Sequence, residues 1–534
     1  LVIGVLASGV GLLAGLGFVK LILALFELGG FELPQSGTPI SGTTVVLALI
    51  VGVVATVVSA TIPAVRATRV TPLEALTEDV GIERATPTRR RTAIALTLGL
   101  AGVAIILTGL FAVPDFTSAL SIMGLGLVLL FISIAMLGGR IVAPLAAVVG
   151  GPIERLRGAP GKLARQNVLR NPSRTATTSS ALMIGVALVV FVLTLGTALT
   201  KSIENALEES FVGDLAVFNV DGFSPISKRV SPAIADVEGV AVSSALGASG
   251  GVIDGDDELI NGLEPETLPE AVNIDWVVGS DETLAEFGSK GAIAEEEWAS
   301  ENGVEVGDEV EITTPGGDVV TVAVEGLVRD RIALLVDSVA VPLELLRDRF
   351  DARGDFGAIA TFEEGAPFEP TRGRVDELLT DRFPQAEARS QKELREENRE
   401  QLNQILFLIY ALLTLSVLLS LIGVVNTLVL TIYERTREIG MLRAIGASKG
   451  QMRMMVRYES LITAMIGAVI GVVIGLAVAV AAVEALEGEG LILAIPVVGT
   501  IVVLVLSAVA GVLAGILPAS RAAKVDVMEA LHYE

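Results

Sequence analysis

Apolar residues form eight long runs along the chain, and each run is close to the roughly 20 residues that a helix needs to cross a bilayer core. These runs are residues 2–26, 43–64, 93–113, 118–138, 177–200, 404–430, 460–483 and 495–517. Charged side chains are scarce within them. The pattern therefore predicts eight transmembrane helices.

Residues 201–403 interrupt this pattern with a long polar segment. Within it, "GDEVEITTPGGDVVTVAVEGLVRD" (residues 307–330) alternates apolar and polar positions around "PGGD", which predicts a β-hairpin and its turn. The preceding "AIAEEEWASENGVEVGD" is typical of a helix and a turn, so the segment predicts an α/β domain. At its end, Lys392 and Glu396 pair at helical spacing, which predicts one unbroken helix from residue 390 to 430, roughly 60 Å long.

Charge is divided unevenly between these regions. The chain has a net charge of −24, but residues 201–400 hold 45 of its 62 acidic residues and only 16 of its 38 basic ones. Outside that segment, all basic residues except Lys20 fall in four loops, namely residues 65–92, 139–176, 431–459 and 518–534. Cytoplasmic loops collect Lys and Arg, so both ends of this chain are predicted to be cytoplasmic and residues 201–403 extracytoplasmic.

One stretch of the sequence occurs twice. "IPAVRATRVTPLEAL" (residues 62–76) and "LPASRAAKVDVMEAL" (residues 517–531) align at a shift of 455, and each follows an apolar run. The helix before that run aligns at a shift of 460, which places the small residues Ala7, Gly11 and Gly15 on Gly467, Gly471 and Gly475. Such stripes let membrane helices approach closely, so these six are predicted helix-packing positions. The duplication predicts that the chain begins partway through its first copy.

The segment "YERTREIGMLRAIGASKGQMRMMVRYESL" (residues 433–461) lies between two predicted spans. Ile439, Leu442 and Ile445 recur at three-residue spacing among charged residues, which predicts a short amphipathic helix at about residues 433–447. Gly446 is expected to end it, because glycine accepts the left-handed conformation of a helix cap. Charge alone leaves open an alternative, a basic loop that lies against lipid headgroups.

Three segments resemble the FtsX/MacB-like family of ABC transporter permeases. They are "ERTREIGMLRAIGAS" (434–448), "LARQNVLRNPSRTATTSSALMIGVALVVFVLTL" (163–195) and the C-terminal "LPASRAAKVDVMEAL". In that family the first segment is a coupling helix that docks on a separate ATPase subunit. The resemblance implies two copies of that ATPase, which bind ATP and Mg, and no cofactor in this chain. It implies ATPase contacts at Glu434, Arg435, Arg437, Glu438, Ile439 and Leu442.

The resemblance also implies five parts of the chain. They are the C-terminal part of a first FtsX-like permease unit (1–76), a linker with two extra transmembrane helices (77–150), an amphipathic lead-in and first helix of a second unit (151–200), a MacB-like extracytoplasmic core domain (201–403) and an FtsX-like permease domain with three transmembrane helices (404–534). The expected fold is a polytopic α-helical membrane protein with one large α/β extracytoplasmic domain, in the plasma membrane of a prokaryotic cell.

Residues suited to catalysis or metal binding are few. The sequence has no cysteine, one histidine (His532) and no G-x-x-x-x-G-K-[ST] motif, so it offers no thiol chemistry, no histidine triad and no P-loop. The acidic clusters at 254–258 and 295–297 lack the spacing of an EF-hand loop. We therefore expect no metal site, no enzymatic activity in this chain and no nucleic-acid partner.

Two functions fit the membrane sequence. The resemblance implies a permease subunit that converts ATP hydrolysis by its partner into movement of the outer domain, exporting or extracting a lipid, lipoprotein, peptide or drug-like substrate. The alternative is a regulator that transports nothing and activates an extracellular protein partner such as a cell-wall hydrolase. Because the same coupling of ATP hydrolysis to movement of the outer domain would serve both functions, the sequence leaves the choice open.

Overall fold

The computed structural model describes residues 2–28, 41–67, 89–113, 116–329, 336–486 and 490–525. Among these residues, eight helices are long and apolar enough to cross a membrane. They are α1 (Val2–Leu28), α2 (Gly42–Ala67), α3 (Arg89–Phe111), α4 (Phe116–Arg157), α6 (Pro172–Ser210), α13 (Gln391–Glu434), α15 (Lys449–Ala485) and α16 (Val497–Ala514). Three shorter helices adjoin them: α5 (Ala159–Arg170), α14 (Thr436–Ala444) and α17 (Ile516–Ala522). The eight predicted spans are confirmed, while the ends of both repeated segments lie outside the described residues.

The chain forms two compact units. The first comprises Leu1–Val189, Phe407–Val472 and Val503–Glu534, and the second comprises Val190–Leu406 and Val473–Val502. Most of the apolar helical sequence belongs to the first unit, and the α/β domain belongs to the second.

Small residues bring helices of the first unit together. A Cβ added at Gly102 of α3 would lie 2.8 Å from the carbonyl oxygen of Gly126 in α4, and the Ser133 hydroxyl donates to the Ala95 carbonyl at 2.6 Å. Helix α4 also continues well beyond the predicted span 118–138, through Pro144 and on to Arg157. This extension packs on α5. A search for apolar runs does not detect helix α5, because it is too polar and too short.

The second unit is built on one sheet of ten strands. They are β1 (Leu215–Asn219), β2 (Val240–Ile253), β3 (Asp256–Leu263), β4 (Trp276–Val278), β5 (Gly291–Glu295), β6 (Glu309–Thr313), β7 (Val319–Val328), β8 (Val339–Pro342), β9 (Gly357–Phe362) and β10 (Ala386–Ser390). The order is β10-β1-β9-β2-β3-β8-β5-β7-β4, with β6 paired to β2 and β7. Its helices are α7 (Val230–Ala235), α8 (Leu268–Ala271), α9 (Asp281–Ala285), α10 (Glu296–Asn302), α11 (Leu343–Arg349) and α12 (Phe368–Arg382). The predicted α/β domain is confirmed.

Strands β6 and β7 form the predicted hairpin. They pair antiparallel with Val310 opposite Val322, and Gly317 takes a φ of +87° in the turn, where a side chain would be strained. The segment before the hairpin contains the predicted helix, α10 (Glu296–Asn302), followed by Gly303 in the left-handed conformation. Its first residues belong to strand β5 (Gly291–Glu295), which pairs with β7 and β8 inside the sheet.

Helix α13 runs unbroken for 44 residues, about 66 Å at 1.5 Å per residue, which confirms the predicted long helix. A capping box starts it: the Ser390 amide donates to the Glu393 carboxylate at 2.8 Å, and the Glu393 amide donates to the Ser390 hydroxyl at 3.3 Å. Arg372 of α12 also donates to Glu393, at 2.8 Å, and this hydrogen bond raises the pKa of the Arg372 guanidinium. The first turn of α13 is thereby fixed to the α/β domain.

Candidate functional site

The charged segment after α13 folds as the short helix α14, Thr436–Ala444. Gly446 takes a φ of +109° just beyond its end. The Gly446 amide donates to the Arg443 carbonyl and the Ala447 amide to the Leu442 carbonyl, both at 3.0 Å. These two bonds form a Schellman motif, so Gly446 ends the helix by the mechanism that its position suggests.

One side of α14 is buried in the chain's own core. Ile439 is only 5% exposed, and Leu442 packs beside it. The same core includes residues of α4, α5, α15 and α17, namely Val142, Ala146, Ala164, Val168, Met452, Met455, Val456, Ala519 and Ala522. The assignment of Ile439 as an ATPase contact is therefore corrected: it holds α14 to the permease, and Leu442 supports it.

The opposite side of α14 is open. Ile445 is 85% exposed, Met441 and Arg437 are exposed, and Glu438 lies on the same side. We call Arg437, Glu438, Met441 and Ile445 the outer face. The three-residue spacing predicts Ile445 on one side with Ile439 and Leu442, but the helix ends at Ala444 and Ile445 is its exposed C-cap residue. Two apolar side chains held in solvent beside two charged ones suit a protein contact.

A polar cluster fixes the start of α14. Arg435 donates to Glu438 at 2.8 Å and to the side-chain oxygen of Asn167 in α5 at 2.9 Å. Asn167 in turn donates to Glu459 of α15 at 3.1 Å, and Arg435 lies 3.9 Å from that carboxylate. We call Asn167, Arg435 and Glu459 the polar cluster. Its three members come from the lead-in helix, the residue before α14 and the following long helix.

Burial makes the polar cluster important. The Glu459 side chain is only 14% exposed, and a carboxylate in such a place is stable only when it is paired and hydrogen-bonded. Sequence reasoning did not identify Asn167 or Glu459. A single acid at the start of an apolar run was the available signal for Glu459, but nothing local indicates its partner Asn167, which is 292 residues away.

Of the remaining predicted contact residues, Glu434 and Arg435 also face the permease itself. Glu434 pairs with Arg174 of α6 at 2.6 Å, and Arg435 belongs to the polar cluster. Arg443 donates to the carbonyl of Val525, so the C-terminal tail contacts α14 directly. Only Arg437 and Glu438, of the six predicted residues, lie on the outer face.

The small-residue stripe packs in the second copy of the repeat. A Cβ added at Gly467 would lie 2.6 Å from the Ser179 carbonyl oxygen, and one at Gly471 would lie 2.7 Å from that of Met183, both in α6. Gly475 is buried as well. Close approach of α15 to α6 therefore depends on glycine at these positions.

In the first copy the packing row is different. Ala7, Gly11 and Gly15 are exposed, and a Cβ added at either glycine meets no described atom within 4 Å. Helix α1 approaches α2 instead through Gly4, opposite Thr56. The predicted stripe of Ala7, Gly11 and Gly15 is thus corrected: within the described chain, α1 packs on α2 through Gly4 instead.

The acidic clusters of the α/β domain have structural roles. In "DGDDE", Asp254 and Gly255 form the two-residue turn between β2 and β3, with φ values of +51° and +99°. In "EEE", Glu295 accepts the amides of Glu297 and Trp298 at the start of α10, and Glu296 pairs with Arg329 at 2.6 Å. No group of three or more potential metal ligands occurs among the described residues.

Eight apolar helices and an α/β domain define a polytopic membrane protein with one large extramembrane domain. Comparison with known proteins gives two matching domain families. Residues 410–527 match the FtsX-like permease C-terminal family, and residues 175–378 match the MacB-like periplasmic core domain. Two parts of the chain thus match FtsX-like and MacB-like domains, and the predicted resemblance and fold class are confirmed.

Curated relatives of the chain are named as permeases or as ATP-binding/permease proteins. The chain is 35% identical over 120 residues to the uncharacterized ABC transporter permease YknZ of Bacillus subtilis, a match that covers 22% of this chain and 30% of YknZ. It is 26% identical over 403 residues to the pyoverdine export ATP-binding/permease protein PvdT of Pseudomonas fluorescens, covering 68% of this chain and 58% of PvdT. The chain therefore spans less than two thirds of the length of either relative.

Among solved structures, the extracellular domain of the ABC-type transporter YknZ from Gram-positive bacteria is similar at 16% identity, with a TM-score of 0.26. That match covers 33% of this chain and 99% of the solved domain.

Proposed function

We propose that this chain couples ATP hydrolysis by a separate ABC ATPase to movement of its α/β domain. The observation that carries this proposal is the two-sided packing of α14. Its inner residue Ile439 is buried in the permease core, while its outer face presents Met441 and Ile445 to solvent. A helix fixed on one side and apolar on the other is suited to receive a partner's motion and pass it on.

Helix α13 provides the path for that motion. It is continuous from Gln391, beside the α/β domain, to Glu434, one residue before α14 starts at Thr436. In this proposal two ATPase copies bind ATP and Mg at the cytoplasmic side. The basic loops and both described ends of the chain face the cytoplasm, and the α/β domain lies outside the plasma membrane of a prokaryotic cell.

The exported substrate is proposed to be a lipid, lipoprotein, peptide or drug-like molecule. Two relatives support this class by name, since PvdT is named for pyoverdine export and MacB of Hahella chejuensis for macrolide export. Both are named ATP-binding/permease proteins, and the present sequence contains no P-loop motif.

The test is the double substitution Met441→Asp with Ile445→Asp in proteoliposomes that contain the permease and its ATPase. We expect ATPase stimulation by the permease to fall at least roughly tenfold, because two apolar contacts would be replaced by charges at the interface. Ile439→Asp is unsuitable, since a charge in the core would unfold the site.

Leu156→Asp provides the matched control. Leu156 is 80% exposed near the end of α4 and is not part of the outer face of α14, so its substitution should leave stimulation unchanged. Full stimulation in the Met441/Ile445 double variant, with normal folding and insertion, would contradict the proposal.

A further inference from the structure

A polar cavity lies in the first unit, apart from the polar cluster. It has a volume of about 80 Å³ and lies where α3, α4 and α6 meet. Its polar side chains are those of Arg91, Thr92, Arg140, Ser173 and Thr177. A water molecule needs about 10–15 Å³ of such volume, so the cavity has room for several waters or for one tetrahedral anionic group.

The cavity has an excess of positive charge. None of the described residues that line it is acidic, and neither Arg91 nor Arg140 forms an ion pair with any described acidic side chain. Ser173 is the second residue of α6, a 39-residue helix, so free backbone amides and the positive end of the helix dipole are also near the cavity. Guanidinium groups and a helix N-terminus together favour a phosphate oxygen.

A buried hydroxyl provides the independent observation. Thr92 lines the cavity and is 9% exposed, and its Oγ1 has no hydrogen-bond partner among the described residues. Leaving a buried hydroxyl unpaired is unfavourable, so such a group is expected to have a partner that enters the cavity.

The walls of the cavity are held in place. A Cβ added at Gly138 of α4 would overlap the side chain of Ala176 in α6, so these two helices are in direct contact beside the cavity. On the other side, α3 and α4 are joined by the Ser133–Ala95 hydrogen bond. A cavity between three packed helices is preorganised for its ligand.

The position of the cavity indicates which phosphate it would meet. Arg91 is the third residue of α3, and Arg140 lies two residues after the apolar run 118–138 of α4. Both lie where a membrane span ends, at the level of lipid headgroups. Basic pockets between transmembrane helices on the cytoplasmic side are suited to anionic lipid headgroups.

We propose that the cavity formed by Arg91, Thr92, Arg140, Ser173 and Thr177 binds the phosphate group of an anionic phospholipid. This proposal concerns lipid binding by the permease alone and does not depend on the ATPase docking proposed above.

The test is native mass spectrometry of the purified full chain with phosphatidylglycerol or phosphatidylcholine. Wild-type protein should retain phosphatidylglycerol in preference, and Arg91→Gln with Arg140→Gln should weaken this binding at least roughly tenfold by removing two charge-assisted contacts. The control Arg90→Gln with Arg155→Gln removes the same charge from exposed positions that do not line the cavity, and should retain the lipid.

Thr92→Val keeps the shape of the side chain and removes only the hydroxyl. Lipid retention should fall while the melting temperature of the lipid-free protein stays the same or rises, which a purely structural role for the hydroxyl would not produce. Equal loss of lipid in the two arginine double variants, or unchanged retention in all variants, would overturn the proposal.

Inorganic phosphate distinguishes the source of the group. Inorganic phosphate could raise the melting temperature of wild type but not of the Arg91/Arg140 variant, and it could also compete with phosphatidylglycerol. These two results together would assign the site to a free phosphate compound and overturn the lipid assignment. Retained phosphatidylglycerol with no effect of inorganic phosphate supports the lipid.

Discussion

The two copies of the repeated helix pair show how the same pattern of small residues gives different packing. In the second copy, Gly467 and Gly471 of α15 lie against the backbone of α6. In the first copy, the aligned residues Ala7 and Gly11 of α1 are exposed. The difference lies in the partner: α15 has α6 beside it, whereas no described helix approaches α1 along this row. A small-residue stripe permits close approach, and only a partner helix converts it into a contact.

Within each pair, however, the contact is equivalent. Gly4 of α1 faces Thr56 of α2, and the residues that align with them, Ala464 of α15 and Gly511 of α16, face each other in the second copy. The glycine lies on the first helix of the pair in the first copy and on the second helix in the second copy, but the two aligned positions are in contact in both copies. This correspondence supports the duplication with a three-dimensional observation that the alignment alone does not provide.

The largest effect is expected from Gly471→Leu. Its Cβ would lie 2.7 Å from the Met183 carbonyl oxygen and 2.9 Å from the Val186 Cβ, so the side chain would force α15 away from α6. We expect a loss of about 3 kcal/mol or more in the free energy of unfolding, measured in detergent micelles. The aligned Gly11→Leu should be neutral, because no described atom lies within 4 Å. Similar losses in the two variants would show that the two copies do not differ in how these positions pack.

A smaller effect is expected from Glu459→Leu, which tests what the lead-in helix α5 adds to the second copy. The substitution removes the acceptor of Asn167 and the carboxylate beside Arg435. We expect a loss of about 2 kcal/mol, less than for a fully buried pair, because Arg435 keeps its bond to Glu438.

Glu434→Gln is the matched comparison for Glu459→Leu. Glu434 pairs with Arg174 but is 44% exposed, so its loss should cost only about 0–1 kcal/mol. An equal cost for both substitutions in chemical unfolding would show that burial does not distinguish the two sites.

The smallest effect is a coupling between positions 464 and 511. Gly511→Thr, which introduces the first-copy residue, should be destabilising because its Cβ would lie 2.6 Å from that of Ala464. Adding Ala464→Gly reproduces the first-copy contact and should recover about 1 kcal/mol in a double-mutant cycle. Strict additivity of the two substitutions would mean that the copies do not share this contact.

Local pattern predicted the parts of the fold that depend on local sequence. The eight spans follow from apolar length, and the β6–β7 hairpin follows from alternation around a turn. The sheet order does not follow from such signals, because β1 pairs with β9 and β10, which lie far along the chain. Pairings of this kind depend on the tertiary fold and cannot be predicted from one segment of the sequence.

The sequence predicts where the site lies along the chain, but it does not show which side of α14 is buried. Three-residue spacing correctly indicated an amphipathic helix, and Gly446 marked its end. Which side is buried depends on α4, α5, α15 and α17, so Ile439 was assigned to a partner although it packs in the core. Asn167 and Glu459 were missed for the same reason, since each acquires its role only from the other.

Cysteine labelling shows whether an ATPase covers the outer face of α14. The chain has no native cysteine, so Ile445→Cys gives a unique thiol. We predict rapid maleimide labelling of Ile445→Cys in the permease alone and strong protection in the assembled complex, with Leu156→Cys labelled equally in both. Equal labelling of Ile445→Cys with and without a bound ATPase would show that the outer face is not the ATPase docking surface.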